Sequence, residues 1–413
     1  MGGKQGAGAI CRWLLMSALL PVASSLVWAG SAHAQIKSDA IRIGVLTDMS
    51  GIFATAMGPG SVEAARMAAD EFGGKINGKR IEILQADHQN KPDVASAIAR
   101  RWFEHEGVLA VADGGSSGAA LAVQELVRAN KRVFLVSGAG AVELTDKACA
   151  PTSVQWTHDA ASTANAVVSG VSKTVQGSWY FITADYAFGH AVESIARAKL
   201  DKLGVKVAGS VKTALNTADF ASFLLQAQAS GAKVLALNAA GDNVTIMKQA
   251  LEFGLAKQGM AIVPMTFQNV DIVAAGLGVT QGNLIATSFF EDVTPVARKW
   301  ADAFFARRGA MPSQIQVGVY SAVRHYLQAV KDTDSEDGPV VMARMKATRV
   351  SDAYTSSGSI RPDQRMVHDL YLVQVKAPAE SKGPWDLVKL VTTIAPEDAF
   401  RPLGDSKCPL VGQ

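Results

Sequence analysis

The chain alternates between two hydrophobic rhythms. The stretch IRIGVLTDMS from Ile41 has the near-continuous apolar run of a strand buried on both faces, and GSVEAARMAADEF after it carries apolar or small residues at helical spacing. RIEILQAD then predicts a strand, DVASAIARRWFEHE a helix, VLAVADG a strand, AALAVQELVRAN a helix and RVFLVSGAG a strand. CAPTSVQW interrupts this order, after which a second series begins: SWYFITAD, AVESIARAKLDKL, KVAGSVKT, FASFLLQAQAS, KVLALNAAG, NVTIMKQALEFG and AIVPMTF. Repeated strand and helix units predict an α/β fold of parallel, doubly wound sheets with helices on both faces. Two such series predict two Rossmann-like lobes, with ligands bound where the carboxyl ends of their strands meet.

The N-terminus departs from this rhythm. Lys4 and Arg12 precede an apolar run from Trp13 to about Val27, and Ala32-His33-Ala34 follows. A charged start, an apolar run too short for a comfortable membrane span and an A-x-A site predict a cleaved secretory leader over 1–34, with Gln35 as the mature start. No other stretch approaches membrane-spanning length. A net charge of +3, with both signs mixed along the chain and no basic block, gives no indication of a nucleic-acid partner.

Of three cysteines, Cys11 leaves with the leader, so Cys149 and Cys408 form an even pair in an oxidising compartment. A disulfide between them is expected, fixing the C-terminal tail near the edge of the first lobe. Neither has a further ligand at metal-binding spacing, and no metal or cofactor is expected.

Gly114-Gly115-Ser116-Ser117-Gly118 matches the G-x-S-x-G pattern of a hydrolase nucleophile elbow. A serine hydrolase using Ser116 would need an acid and a histidine later in the chain, and His368 and Asp369 exist. No HGGG-type oxyanion segment accompanies them, and two similar series do not suggest a single hydrolase sheet. Ser137-Gly-Ala-Gly-Ala141 falls short of a dinucleotide fingerprint because Glu143 stands where the third glycine should be.

SGIFATAMGPGSVEAARMAADEFGGKINGKRIEILQADHQNKPDVA, the Gly-Gly-Ser-Ser loop, SGAGAVELT, TADYAFG and HDLYLVQVK together resemble one family, in consistent order from Ile41 to about Leu410. The chain resembles the periplasmic substrate-binding proteins of branched-chain amino-acid ABC transporters, and in places the branch that binds aromatic acids. The resemblance implies a type I periplasmic-binding fold crossing between lobes three times, near 154–158, 287–290 and 366–369. The first lobe would comprise 35–155 plus 289–365, and the second 156–288 plus 366–413. It also implies a periplasmic, monomeric receptor that captures a small ligand by lobe closure and delivers it to an importer permease, with no enzymatic step. A ligand sensor of the same fold is the alternative.

By this resemblance Ser116 and Ser117 offer hydroxyls and helix N-terminal N–H groups to a ligand carboxylate. One of the two is expected to cap the helix instead. Gly138, Ala139 and Gly140 supply backbone groups. Phe53, Trp156, Tyr186 and Phe290 are candidate walls, and His158 either donates to the ligand or bridges the hinge. Asp185 is expected as a helix cap. In amino-acid-binding members a glutamate pairs with the ammonium group; Gln268 takes its place here, with Asp242 or Asp271 as substitutes. An uncharged Gln268 favours an aromatic or otherwise apolar acid over a zwitterion, because an unpaired buried ammonium is costly.

Overall fold

The computed structural model describes residues 36–412 and Gly2, so the expected leader over 1–34 and the mature start at Gln35 lie, that glycine apart, outside the described residues. The first lobe opens with β1 (Ala40–Thr47), α1 (Gly58–Asp70), β2 (Lys75–Ile76), β3 (Lys79–Asp87), α2 (Pro92–Glu104), β4 (Val108–Asp113), α3 (Ser117–Asn130), β5 (Val133–Val136) and β6 (Ser153–Gln155). The strands form one sheet in the order β2-β3-β1-β4-β5-β6, parallel except where β2 pairs with β3. Period-2 alternation along β1 sends Ile41, Ile43 and Val45 into one apolar layer and Leu46 into the opposite one. Gly44 lies against the Trp102 ring, where a side chain would collide, and so lets α2 sit close to the sheet.

The chain then builds a second lobe from α4 (Ala160–Thr174), β7 (Trp179–Ala184), α5 (Ala187–Lys202), β8 (Val207–Thr213), α6 (Ala221–Ala229), β9 (Val234–Asn238), α7 (Asn243–Glu252), β10 (Ala261–Pro264), α8 (Asn269–Ala275), α9 (Leu277–Thr280) and β11 (Leu284–Thr287). Here β10-β9-β7-β8 are parallel throughout. All six residues of β7 are buried, with Trp179 and Phe181 on one side and Tyr180 and Ile182 on the other.

Three helices return to the first lobe: α10 (Pro295–Arg308), α11 (Gln314–Thr333) and α12 (Gly338–Ala347). The 20-residue α11 starts at a capping box made by Ser313 and Gln316, and packs on α1, β4 and β5. A two-stranded sheet, β12 (Ser359–Ile360) with β13 (Met366–Val367), leads to β14 (Leu370–Val375), β15 (Val388–Ile394) and the short α13 (Pro396–Ala399). An expectation of parallel sheets alone is corrected here, because β11-β14-β15 form a separate antiparallel sheet. The link between β14 and β15 is a loop closed by a Lys376–Asp386 ion pair rather than a helix, so the strands can only run back to back.

Where the chain passes between lobes, the buried guanidinium of Arg365 donates to the carbonyls of Thr157 and His158 and stands 4.5 Å over the Phe400 ring. The tail beyond it leans on the turn at 142–146: Arg401 donates to the Thr145 carbonyl, and Cys408 is disulfide-bonded to Cys149 with Cα atoms 5.6 Å apart. Closing a loop between residues 259 apart contributes roughly 3 to 5 kcal/mol by restricting the unfolded chain.

Candidate functional site

Between the lobes lies a cavity of about 80 Å³. Its first-lobe wall starts from the carboxyl end of β4, where Gly114 and Gly115 take positive φ (81° and 56°), which glycine adopts without strain, and Asp113 before them is held in the left-handed region as well (78°). That turn delivers Ser116 and Ser117 to the start of α3. Ser116 is the N-cap in extended conformation, yet its side chain makes no capping hydrogen bond, so the expectation that one serine caps the helix is corrected. The hydroxyl faces the cavity together with N–H groups of the first helical turn, which have no intrahelical acceptor. Gly138 and Gly140, after β5, complete the floor. Their bareness is required: a Cβ on Gly140 would run into the Phe188 ring of the second lobe, and one on Gly138 would meet Met57 and Asp113.

The apolar walls are Ile52, Phe53, Met57 and Ile315 from the first lobe and Tyr186 and Phe188 from the second. Phe53 and Tyr186 stand 6.5 Å apart between centroids, and Tyr186 and Phe188 6.1 Å. Burial, and then the nearby Asp242, push the Tyr186 phenol up, so it stays a neutral donor. His158 and Phe188 meet in a T-shaped contact with centroids 5.8 Å apart, and the His158 Nδ1 is buried without a partner. Burial, reinforced by the Arg365 charge, pushes its pKa down to about 4, leaving the imidazole neutral.

The far wall carries acceptors. Gln268 and Asp271 form a reciprocal capping box at the start of α8: the Gln268 side chain faces the Asp271 N–H, although its buried Oε1 makes no well-formed hydrogen bond, and the Gln268 backbone N–H donates to the Asp271 carboxylate at 2.9 Å. Asp271 keeps some exposed surface but is surrounded by protein on nearly every side, and burial pushes its pKa up to about 6. It stands in no ion pair among the described residues. Asn243, on the same wall, is held by donating to the Thr266 carbonyl at 2.7 Å.

Of the twelve residues expected from sequence, the cavity brings together Phe53, Ser116, Ser117, Gly138, Gly140, His158, Tyr186 and Gln268. It leaves four outside its lining. Trp156 is fully buried in the first-lobe core, its indole N–H donating to Ser321 Oγ at 3.1 Å. Ala139 alternates away from the two glycines and packs its methyl beneath α3. Asp242 turns back to accept the N–H of Asn216 at 3.0 Å, and Phe290 packs edge-on against Tyr371 at 5.5 Å. Asp185, expected as a helix cap, instead bonds His190 at 2.6 Å. Sequence reasoning missed Phe188, although D-Y-A-F-G places it two residues after Tyr186, in the first turn of α5; Ile315 comes from α11, with no local motif to mark it.

Among the described residues no group of three His, Cys, Asp or Glu could hold a metal ion, and no helix is long and apolar enough to cross a membrane. Residues 40–384 match the periplasmic binding protein family. A periplasmic binding protein from Burkholderia mallei is 42% identical, the alignment covering 90% of this chain and 99% of that one with a TM-score of 0.87. A branched chain amino acid ABC transporter periplasmic ligand-binding protein from Burkholderia xenovorans is 38% identical over 90% and 99%, with a TM-score of 0.81. A solute binding protein of an ABC transporter from Rhodopseudomonas palustris, in complex with 3,4-dihydroxy benzoic acid, shares the fold at 21% identity over 89% and 100%, with a TM-score of 0.80. The chain belongs to the periplasmic binding protein family and has its type I, two-lobed fold.

Proposed function

We propose that this protein is the periplasmic receptor of an ABC importer, capturing a small carboxylate-bearing ligand between its lobes and presenting the closed form to the permease. The observation that carries this reading is the asymmetry of the cavity. One wall offers free hydroxyls and helix N-terminal N–H groups at Ser116 and Ser117, the middle is apolar and aromatic, and the far wall offers acceptors at Gln268 and Asp271. A carboxylate suits the positive end of α3, and a donor group suits the opposite end. Because both lobes supply contacts, the ligand binds the closed form better than the open one, and that differential affinity drives closure. No bond need be made or broken. The Ser116 hydroxyl takes part in no hydrogen bond that would activate it as a nucleophile.

For the ligand, the uncharged Gln268 and the aromatic faces of Phe53, Tyr186 and Phe188 support an aromatic or otherwise apolar acid, each good ring pair contributing roughly 0.5 to 1.5 kcal/mol beyond burial. A cavity of about 80 Å³ is tighter than the ~150 Å³ that holds benzene, so such a ring enters with the lobes slightly parted. Asp271 favours a second reading: a carboxylate at the same wall without a cation is a place for an ammonium group, hence for an apolar amino acid.

Calorimetric titration of ligand-free protein with benzoate, 4-hydroxybenzoate and leucine separates the two. Tight binding of an aromatic acid that survives Asp271→Asn supports the first reading; tight leucine binding lost in that variant supports the second and removes the first. We further propose that the mature chain starts at Gln35 and that the lobes comprise 35–155 with 289–365 and 156–288 with 366–413. Intact-mass measurement of exported protein checks the start, and a retained apolar leader would overturn it.

A further inference from the structure

Beneath the cavity floor lies a carboxyl group that the binding reading does not use. Asp113 closes β4 and is completely buried, with neither carboxylate oxygen in a well-formed hydrogen bond. The groups around it are neutral. Thr47 at the end of β1 and Ser61 on α1 turn hydroxyls toward it, and the N–H groups of Gly115 and Gly138 approach it from above, none well aligned. Its backbone carbonyl, by contrast, accepts from Ser137 and Gly138 at 3.0 Å each and so ties the β4 and β5 loops together.

The charged and titratable groups nearby are accounted for otherwise. Asp48, on the loop after β1, accepts from the N–H groups of Gly51 and Phe53 and from Asn90. His88, after β3, lies against Gly115 with Nδ1 accepting from Asn90, and burial lowers its pKa. From α11, the neighbour of this loop is Gly318, which faces Ser137 and Thr157. Among the described residues no Lys, Arg or His forms an ion pair with Asp113. Separately from this geometry, burial pushes its pKa up to about 6.

Asp113 and the ligand carboxylate therefore share one thin floor. Gly138 lines the cavity on its upper face, while a Cβ there would strike Asp113 Oδ1 below. Like charges on the two sides of one loop, in a setting without a cation, disfavour each other's ionised form. We propose that Asp113 takes up a proton when an anionic ligand is captured, making this protein a coupled acceptor of a carboxylate and a proton, with Asp113 as the positioning residue of the floor. This rests on the reading that a carboxylate sits at Ser116 and Ser117. The proton comes from solvent as the lobes close and returns to solvent on release, so no bond other than the carboxyl O–H is made or broken. The neutral acid then donates to the oxygen of Thr47 or Ser61, whose hydroxyls face the carboxyl group and rotate from donor to acceptor as it is protonated.

The test is calorimetry of the full mature chain at pH 7 in buffers of different ionisation enthalpy, with benzoate, 4-hydroxybenzoate and leucine as probes and 4-hydroxybenzamide as a neutral control. The expected result is uptake approaching one proton per bound carboxylate, none for the benzamide, and affinity falling about tenfold per pH unit above pH 7. Uptake should vanish in Asp113→Asn and persist in His88→Gln. Where the Asn variant does not fold, the pH series on the unmodified chain decides: an affinity for the carboxylate that stays flat from pH 5.5 to 8 overturns the proposal. Binding without proton uptake, or with uptake unchanged in Asp113→Asn, overturns it too while leaving the carboxylate reading intact. If no carboxylate probe binds at all, the carboxylate reading fails and the proposal falls with it.

Discussion

At the scale of single residues, Ser116 separates a binding role from a structural one. An N-cap serine that bonds the helix contributes about 1 kcal/mol to stability, and its loss to alanine lowers the melting temperature. Ser116 makes no such bond, so Ser116→Ala should leave the melting temperature unchanged within error while weakening a carboxylate ligand about tenfold, the value of a hydrogen bond to a charged group. A fall in melting temperature with unchanged affinity would mean the hydroxyl serves the helix. The G-x-S-x-G pattern made the position legible in the sequence but not its chemistry, because a strand-turn-helix elbow presents a hydroxyl equally well to a substrate carbonyl or to a bound anion. Trp156 shows the opposite failure. Its place beside a lobe crossing suggested a wall, whereas the direction of its side chain depends on the strand register of β6, which puts the indole beside Ser321 in the core.

Among the elements, strands and helices were legible wherever one rhythm ran long enough, as in β4, β7 and α3, where burial and period agree. The antiparallel β11-β14-β15 sheet was not, because its partners lie far apart in sequence and nothing local marks which strand pairs with which. The same long-range pairing sets the fit of one lobe to the other. Gly140 in the loop after β5 abuts Phe188 at the start of α5, and Gly241 after β9 abuts Ile52, where an added Cβ would stand 3.0 Å from the Ile52 Cβ. Both glycines sit at points where the lobes touch, so a methyl there obstructs closure rather than folding. Gly140→Ala should keep the melting temperature of the ligand-free protein within a few degrees and reduce ligand affinity at least tenfold. Small-angle scattering should show the variant staying open at ligand concentrations that close the parent. Normal affinity with full closure would show that Phe188 swings aside and that the contact does not govern the hinge.

For the whole molecule, two cavity groups tilt stability with pH in opposite directions. His158 has a native pKa near 4 against an ordinary 6.5, so between those values the unfolded chain binds the extra proton and stability falls as pH drops through the window. Asp271 has a native pKa near 6 against an ordinary 3.8, so between those values the native state binds the extra proton and stability falls as pH rises. The two effects oppose each other from about pH 4 to 6, and the parent protein hides both. Buried groups away from both, among them Asp352, pushed up by burial, and His325, pushed down by burial, contribute to the parent and to single variants alike and cancel in the differences, whereas His368, whose charge acts on His158, moves with that variant in the same direction. In urea unfolding of ligand-free protein, Asp271→Asn should gain stability over the parent as pH rises from 4 to 6 and hold that gain above it. His158→Gln should match the parent above pH 6.5 and gain on it as pH falls to 4. Each slope should approach 1.4 kcal/mol per pH unit in mid-window. Two differences tilting the same way, or both flat, would mean that the cavity is wet enough to solvate these charges, and the drive to pair them with a ligand would be correspondingly weak.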